Sequence, residues 1–452
     1  MKGGVASDEL TYEFFSRIRS LINRWSRYPV LARVIACAQN PNMMVSLRNA
    51  QVLLEGGIER RDVLLDGATI RNIVAPETDH VGGAVYDFAD CIIVPGFIDL
   101  HFHGAVGFDL MTADAQGLHS ICAYQARNGT TSFFATTLTS TMSELLGAVN
   151  RLSRFRSAPG TAGIVGLHIE GPYINPAQKG CHRIDWMRSP DLKDWSLIRE
   201  AARDAHLHFT IAPELEGASA FIRAITTGAG TISLGHTEAS SVQCRAAVDQ
   251  GATVFTHLFN AMRSLHHRQP GPVDAALAGN AYVELICDGI HVAPDIVNLV
   301  YRVKGADRII LITDAMHAAG CGDGTYQFGG YEVVVREGIA RNSDGALASA
   351  TITLLAAVKN FMRFTGASLE EVVPMVTTNP ARAVGMEQRL GAIAPGRQAD
   401  LVVLNTQLDL EAVFCRGDLV HRRRHPTLLG HSTATGKPPG EQNPAANNTD
   451  HG

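Results

Sequence analysis

Metal-binding side chains recur just after short, mainly apolar runs along this 452-residue chain. His101 and His103 follow Val94–Leu100, and four further side chains follow similar runs: Glu170, His236, His257 and Asp314. Zinc commonly binds imidazole and carboxylate groups, and iron or manganese does so to a lesser extent. A bound divalent ion lowers the pKa of its water to roughly 7, which supplies hydroxide at neutral pH. The residue types therefore predict metal-dependent hydrolysis.

The spacing within the histidine pair supports a shared ion. Residues two apart on a strand point to the same side, so His101 and His103 can face one metal ion. An isolated His-X-His pair is a weak signal, and any single histidine of the set could be an ordinary core residue. Asp314 could accept and then return a proton during amide hydrolysis, although Thr313-Asp314-Ala315 would also suit a helix N-cap. Six such groups at five strand ends favour a metal site.

Repeated strand–helix units would bring these distant residues together. Between about 96 and 384, helical stretches such as Ser240–Asp249 and Pro294–Val303 alternate with short apolar runs. The runs are Thr131–Ala135, Gly163–Ile169, Leu207–Ile211, Thr231–Leu234, Thr253–Phe255, Tyr282–Ile286 and Arg308–Ile312. This pattern predicts an α/β fold with a (β/α)8 TIM-like barrel. Because the carboxyl ends of barrel strands meet at one rim, the metal-type residues would share one small volume.

The flanks of the barrel region carry a different pattern. Short strands separated by Gly, Asp and Glu turns, such as Met44–Leu47 and Gln51–Leu54, cover residues 44–95. Strand-like segments return over residues 385–424. We therefore expect a small β-sandwich module formed by both flanks, with residues 96–384 as the metal-dependent catalytic barrel.

The two ends of the chain differ from these regions. Residues 1–43 are interpreted as an N-terminal extension, or as sequence upstream of a start near Met43 or Met44. The basic amphipathic stretch Phe14–Trp25 could alternatively be a surface or partner helix. Residues 425–452 are rich in Pro, Gly, Asn and Thr and predict a disordered tail.

The composition limits the partners of the protein. A formal net charge of −5 lacks the basic balance that nucleic-acid binding needs. No apolar run reaches the ~20 residues that cross a membrane, and no secretory signal is evident at the N-terminus. The eight cysteines form no CxxC pair, which is typical of reduced thiols. These features predict a cytoplasmic protein with a small-molecule substrate, and neither nucleic acid nor membrane as a partner.

Several motifs between about residues 44 and 422 resemble the N-acetylglucosamine-6-phosphate deacetylase family of the amidohydrolase superfamily. Three are highly specific in combination: Glu170-Gly-Pro, Thr256-His-Leu-Phe-Asn-Ala-Met262 and Asp288-Gly-Ile-His291. Four more are His101-Phe-His103-Gly, Lys179-Gly-Cys-His182, Gly235-His236-Thr and Thr313-Asp314-Ala-Met316. The resemblance implies hydrolysis of N-acetyl-D-glucosamine 6-phosphate to D-glucosamine 6-phosphate and acetate, in amino-sugar catabolism.

The resemblance also implies roles for the metal-type residues. Glu170, His236 and His257 match the metal ligands shared across the family. His101 and His103 match the pair found in members that hold a second metal. The implied cofactor is one or two divalent ions per subunit, with zinc first and Fe2+, Mn2+ or Co2+ as alternatives.

Catalytic and substrate-contacting positions can be carried over in the same way. Asp314 matches the catalytic acid/base, and His182 matches a histidine near the substrate carbonyl, where it could polarise the amide. Arg268 is suited to the 6-phosphate by its fork of donors. The matched substrate contacts are Cys181, His182, Asn260, Ala261, Arg268, His291, Leu347, Ala348 and Ser349. In the family, the arginine that matches Arg268 can reach across a dimer interface, so the resemblance implies a homodimer.

Two segments depart from the family pattern. Cys181 stands where a serine or threonine is common, and Leu347-Ala-Ser349-Ala stands where Leu-Ser-Gly-Ser or Leu-Ala-Gly-Ser is frequent. The absence of that glycine bears on the shape of one pocket wall. Two alternatives stay open: a deacetylase of another N-acetyl sugar phosphate such as the galactosamine isomer, and a barrel that binds a sugar phosphate without catalysis.

Overall fold

The computed structural model describes residues 44–76, 83–228 and 230–423. The extension predicted over 1–43 and the tail predicted over 425–452 lie outside the described residues. Within the described ranges, none of the helices is both long and apolar enough to cross a membrane.

Eight parallel strands form a barrel in which each strand pairs with the next one along the chain. They are β6 (Phe97–Phe102), β9 (Thr130–Thr137), β10 (Gly163–Glu170), β11 (Leu207–Ile211), β12 (Thr231–Leu234), β13 (Val254–Phe255), β14 (Tyr282–Ile286) and β15 (Ile309–Ile312). Backbone hydrogen bonds join the two end strands just beyond β15: Asp314 N–H donates to His101 O at 2.9 Å, and His103 N–H donates to Ala315 O at 2.9 Å. The predicted TIM-like barrel is confirmed.

Helices alternate with these strands, and local side chains set where they begin. Asp114 accepts a hydrogen bond from the Gly117 N–H, and Thr141 with Glu144 forms a capping box. The helices are α1 (Ala115–Arg127), α2 (Met142–Arg154), α3 (Leu192–Ala202), α4 (Ala218–Thr227), α5 (Ser241–Asp249), α6 (Pro272–Ala278), α7 (Pro294–Lys304), α8 (Leu354–Thr365), α9 (Leu369–Val372) and α10 (Thr378–Ala383). Short 3-10 turns lie at Pro176–Gln178, Ile184–Trp186, Ala306–Arg308 and Val373–Val376.

A second, mostly antiparallel sheet combines strands from both flanks of the barrel. Its members are β1 (Met44–Leu54), β2 (Gly57–Asp66), β3 (Thr69–Val74), β4 (Ala84–Asp87), β5 (Ile92–Pro95), β19 (Leu401–Leu404), β20 (Leu410–Cys415) and β21 (Asp418–Arg422). The flanks meet where β19 pairs antiparallel with β5. The structure joins two predicted strands, Met44–Leu47 and Gln51–Leu54, into the single strand β1. Its irregularity between Leu47 and Ala50 includes Asn49, which has a φ of 65°.

A three-stranded antiparallel sheet, which the sequence analysis did not predict, lies between β15 and α8. It consists of β16 (Gly324–Phe328), β17 (Tyr331–Arg336) and β18 (Ile339–Asn342). The shorter pair β7 (Gly104–Ala105) and β8 (Phe108–Asp109) follows β6. The Phe328 ring lies 5.5 Å from the His103 ring, centroid to centroid. The three-stranded sheet therefore contacts the barrel rim that carries the metal-type residues.

Candidate metal centre

Five buried side chains converge where four barrel strands end. His101 and His103 lie at the end of β6, and Glu170 is the last residue of β10. His236 and His257 each follow their strand, β12 or β13, by two residues. None of the five is more than 3% exposed. The regular strand-end positions seen in the sequence therefore correspond to one shared location.

Two groups of three ligand atoms share Glu170. In the first, His101 Nε2 lies 3.2 Å from His103 Nε2, and the Glu170 oxygens lie 3.3 Å from His101 Nε2 and 3.2 Å from His103 Nε2. In the second, Glu170 Oε1 lies 3.3 Å from His236 Nε2 and 3.2 Å from His257 Nε2. The two nitrogens of that group are 3.1 Å apart.

These separations fit a tetrahedral ion. Zinc–nitrogen and zinc–oxygen bonds of about 2.0–2.1 Å place tetrahedral ligand atoms about 3.3–3.4 Å apart. Both groups come close to that spacing, and they consist of imidazole nitrogens and carboxylate oxygens. Each could hold one divalent ion, with Glu170 contributing to both.

Hydrogen bonds on the far side of the rings orient two of the histidines. His236 Nδ1 lies 2.7 Å from the carbonyl oxygen of Gln178. A carbonyl can only accept, so this nitrogen carries the proton, and the lone pair of Nε2 faces the position that an ion would share with Glu170. Burial lowers the pKa of His236 to about 4, which keeps the ring neutral. His101 Nδ1 lies 3.4 Å from Glu284 Oε2, which favours the same tautomer.

The electrostatics at the histidine pair favour a cation. Burial lowers the pKa of His103, but hydrogen bonds to Asp314 and Glu170 outweigh it and raise that pKa to about 9. The pKa of Asp314 is shifted in the opposite direction. Burial raises its pKa, but the charge of His101 and the contact with His103 outweigh burial and lower the pKa to about 2. Positive charge is therefore stabilised between these groups.

Asp314 faces the histidine pair. Its Oδ1 lies 3.2 Å from His103 Nε2 and 3.4 Å from His101 Nε2. The alternative interpretation of Asp314 as a helix N-cap is wrong. Asp314 has a left-handed φ of 48°, and the residues after it form a bridge and a turn rather than a helix.

His182 lies beside Glu170, with its Nε2 3.4 Å from Glu170 Oε2. The Thr139 backbone N–H donates to His182 Nδ1 at 3.2 Å, and the Thr139 hydroxyl lies 2.7 Å from the same nitrogen. An amide N–H can only donate, so Nδ1 is the acceptor and Nε2 carries the proton. This tautomer can donate a hydrogen bond to a carbonyl oxygen placed next to Glu170.

Two glycines allow close packing around His236. A Cβ on Gly235 would lie 2.7 Å from the Thr256 Cβ. Gly180 has a φ of 54°, and a Cβ there would lie 3.1 Å from His236 Cε1. The loop that carries His182 therefore runs directly against the His236 ring.

The positions matched to substrate contacts differ in their surroundings. The Asn260 side-chain amide donates to His257 O at 3.2 Å and to Leu258 O at 3.3 Å. His291 Nδ1 lies 2.6 Å from Asp288 Oδ2. Arg268 is exposed. Its backbone N–H donates to His266 Nδ1 at 3.3 Å.

The remaining matched positions lie near Asp314 or beside the β16–β18 sheet. The Ser349 hydroxyl donates to the Asp314 backbone carbonyl and lies 3.4 Å from Asp314 Oδ1. Ala348 is fully buried, whereas Leu347 is half-buried. Cys181 packs against a cluster that contains Phe328. Burial raises the pKa of the Cys181 thiol, which disfavours a nucleophilic thiolate.

Backbone strain is concentrated in this region. Positive φ values in the left-handed range occur at His236 (49°), His257 (27°), Ala261 (47°), Asp314 (48°) and Ser349 (66°). A left-handed conformation costs a residue with a Cβ roughly 1–2 kcal/mol. Such strain persists where surrounding contacts enforce it, which is characteristic of functional sites.

Two residues of this centre were missed by the sequence analysis. Glu284 is a charged residue within an otherwise apolar, fully buried strand, and that contrast was a usable signal. Thr139 gave no signal, because its role depends on a loop 43 residues further along. His168 lies with its ring 4.6 Å from that of His101, but its nitrogens contact the hydroxyls of Thr136 at 3.3 Å and Thr210 at 2.8 Å.

Comparisons with known proteins point to one family. Residues 92–420 match the model of the Amidohydrolase family. An N-acetylglucosamine-6-phosphate deacetylase from Bacillus subtilis is 35% identical over 336 residues, which cover 73% of this chain and 85% of the relative. An N-acetylgalactosamine-6-phosphate deacetylase from Escherichia coli O157:H7 is 36% identical over 331 residues, with 73% and 87% covered.

A solved structure agrees with these sequence matches. A mutant N-acetyl-D-glucosamine-6-phosphate deacetylase from Mycobacterium smegmatis, in complex with N-acetyl-D-glucosamine-6-phosphate, superposes with a TM-score of 0.76 at 32% identity. The match covers 84% of this chain and 99% of that one. The likeness therefore includes both the barrel and most of the flanking sheet.

Proposed function

This chain belongs to the amidohydrolase family, among its N-acetylglucosamine-6-phosphate deacetylases, and on that premise we propose that it hydrolyses N-acetyl-D-glucosamine 6-phosphate. The products are D-glucosamine 6-phosphate and acetate, as expected in amino-sugar catabolism. The observation that carries the proposal is the position of Asp314, whose Oδ1 lies 3.2 Å from His103 Nε2 beside the shared Glu170. An acid/base carboxylate thus adjoins a centre built to hold divalent metal.

The cofactor we propose is zinc, with Fe2+, Mn2+ or Co2+ as alternatives. Glu170, His236 and His257 would hold one ion, and His101 and His103 would hold a second together with Glu170. When bound, such an ion lowers the pKa of water and polarises a carbonyl oxygen.

His182 and Asp314 supply the proton chemistry of the proposed reaction. The Nε2–H of His182 donates to the amide carbonyl oxygen and stabilises the charge that develops there. Asp314 accepts the proton of the attacking water and then delivers it to the departing amine nitrogen. The lowered pKa of Asp314 keeps its carboxylate ionised before the reaction begins.

We propose that the remaining matched residues bind the sugar and its phosphate. Asn260, Ala261 and His291 contact the sugar phosphate, as do Cys181 and the segment Leu347–Ser349. Arg268 binds the 6-phosphate through its guanidinium. Because Arg268 is exposed, this role is consistent with a homodimer in which it reaches the partner's site.

The galactosamine isomer is a second candidate substrate, because the relative that acts on it is as similar in sequence as the glucosamine enzymes. The test is acetate release from both sugar phosphates by metal-loaded protein, compared as kcat/KM. We expect a preference for the glucosamine compound, whereas a preference for its isomer would transfer the proposal to that substrate.

The seven described cysteines are free thiols, which supports the proposed cytoplasmic location.

A further inference from the structure

Glu284 is a fully buried carboxylate in the middle of β14. The other residues of this strand, Tyr282–Ile286, are apolar or aromatic. Burial of an ionised carboxylate is costly unless the charge is paired and hydrogen-bonded. The position of Glu284 therefore calls for a partner that offsets this cost.

The contacts of Glu284 connect the two ligand groups. Its Oε2 lies 3.4 Å from His101 Nδ1, on the side of that ring opposite Glu170. The same oxygen accepts the backbone N–H of His257 at 3.3 Å. Its Oε1 has no hydrogen-bond partner among the described residues. One carboxylate thus contacts a residue of each group, but it contacts a side chain only at His101.

The negative charges around the centre exceed those needed to balance a single divalent ion. Three carboxylates, the buried Glu170 and Glu284 and the half-buried Asp314, surround histidines that bind metal in their neutral form. Their three negative charges exceed the charge of one divalent ion and fall short of the charge of two. Without Glu284, a second ion would enter a centre with one less negative charge.

We propose that Glu284 is a positioning residue that enables the His101–His103 position to hold a second divalent ion. It fixes His101 with Nε2 free to bind and supplies a buried negative charge behind the ring, as carboxylates commonly do behind metal-binding histidines. The inference rests on the proposed function only in its assumption that the centre binds metal.

The test is a zinc titration of metal-free protein against a competing chelator, which resolves the first and second binding steps. We expect Glu284→Gln to weaken the second step by roughly 10- to 100-fold and to leave the first within about threefold, because such partners contribute about that much to metal affinity. Glutamine keeps an acceptor oxygen for the His257 N–H, so the change mainly removes charge. Asp400→Asn is the matched control. Asp400 is also buried, but it contacts Ser132 and the Arg416 N–H instead.

Three results would overturn the inference: wild-type protein that binds only one ion, a second step within threefold of wild type in Glu284→Gln, or an equal loss in Asp400→Asn. If Glu284→Gln does not fold, Glu284→Asp provides the test, since it keeps the charge but withdraws it from His101. A second step unchanged by Glu284→Asp would then overturn it. Acetate release is measured separately, so failure of the proposed function would appear as an inactive wild type with normal metal binding.

Discussion

The Ser349 hydroxyl donates to the backbone carbonyl of Asp314 and lies 3.4 Å from Asp314 Oδ1, although Ser349 has a left-handed φ of 66°. Glycine adopts that φ without steric cost, whereas a residue with a Cβ is strained by roughly 1–2 kcal/mol. Ser349 therefore combines a favourable contact with an unfavourable backbone conformation. Its hydroxyl adjoins the carboxylate that we propose as the acid/base.

Two substitutions of Ser349 separate these effects. Ser349→Ala removes a hydrogen bond worth about 0.5–1.5 kcal/mol and keeps the strain. Ser349→Gly removes the same bond but relieves the strain, so it should be more stable than the alanine variant by about 1 kcal/mol. Urea denaturation of both variants measures the difference. An alanine variant as stable as the glycine variant would show that the left-handed conformation is not maintained in solution.

His182→Ala should lower kcat while metal content stays at the wild-type level. Loss of one donor to a developing oxyanion typically reduces kcat by about 10²–10³. Metal analysis and acetate-release kinetics on the same preparation provide the check. Thr139→Ser is the matched control, since serine keeps both the hydroxyl and the backbone N–H that face His182 Nδ1. A parallel loss of metal in His182→Ala would instead make His182 a ligand.

Asp314→Asn should retain the metal ion held by Glu170, His236 and His257 and lose turnover. Asparagine keeps an oxygen near His101 and His103 but cannot shuttle a proton, and general acid–base catalysis contributes about 10²–10⁴ in rate. Steady-state kinetics at saturating substrate, together with metal analysis, measure the two effects. Activity within tenfold of wild type would exclude Asp314 as the acid/base.

Arg268→Ala should weaken binding of the phosphorylated sugar. A hydrogen bond to a charged group contributes about 1.5–3 kcal/mol, so we expect KM to rise roughly 10- to 100-fold for the sugar phosphate. The unphosphorylated N-acetyl sugar should change little. Equal losses on both substrates would contradict a phosphate role, and Arg268→Lys should recover part of the affinity.

The same variant tests whether the arginine acts across a dimer. Arg268→Ala and Asp314→Asn subunits, unfolded together and refolded as mixed dimers, should regain activity. One site of each mixed dimer then combines an intact Asp314 with the partner's intact Arg268. If the arginine acts within its own subunit, the kcat/KM of the mixture for the sugar phosphate stays as low as that of its components.

The barrel and its metal-type residues could be predicted because both depend on short-range patterns. Apolar strands alternate with capped helices, and residues such as Glu170 and His236 follow strands at a regular position. Glu284 lies within a strand rather than after it, so a search for metal-type residues that follow strands did not identify it. A search for charged residues inside apolar runs would have found it.

Other features depend on contacts that local sequence does not encode. The N-cap alternative for Asp314 was a sound local interpretation, but the hydrogen bond from its N–H to His101 O commits this segment to closing the barrel. The β16–β18 sheet interrupts the strand–helix repeat, so the repeat did not predict it. The single strand β1 was divided in two because a bulge near Asn49 resembles a turn in sequence.

The central claim is that metal-dependent removal of acetate occurs at the shared Glu170 centre. The most direct measurement is acetate release from N-acetyl-D-glucosamine 6-phosphate by chelator-stripped protein as zinc is added back. We predict no release by the stripped protein, and release of acetate and free amine in equal amounts once zinc is restored. Failure of zinc-loaded, folded protein to release acetate from this substrate or its galactosamine isomer would contradict the account.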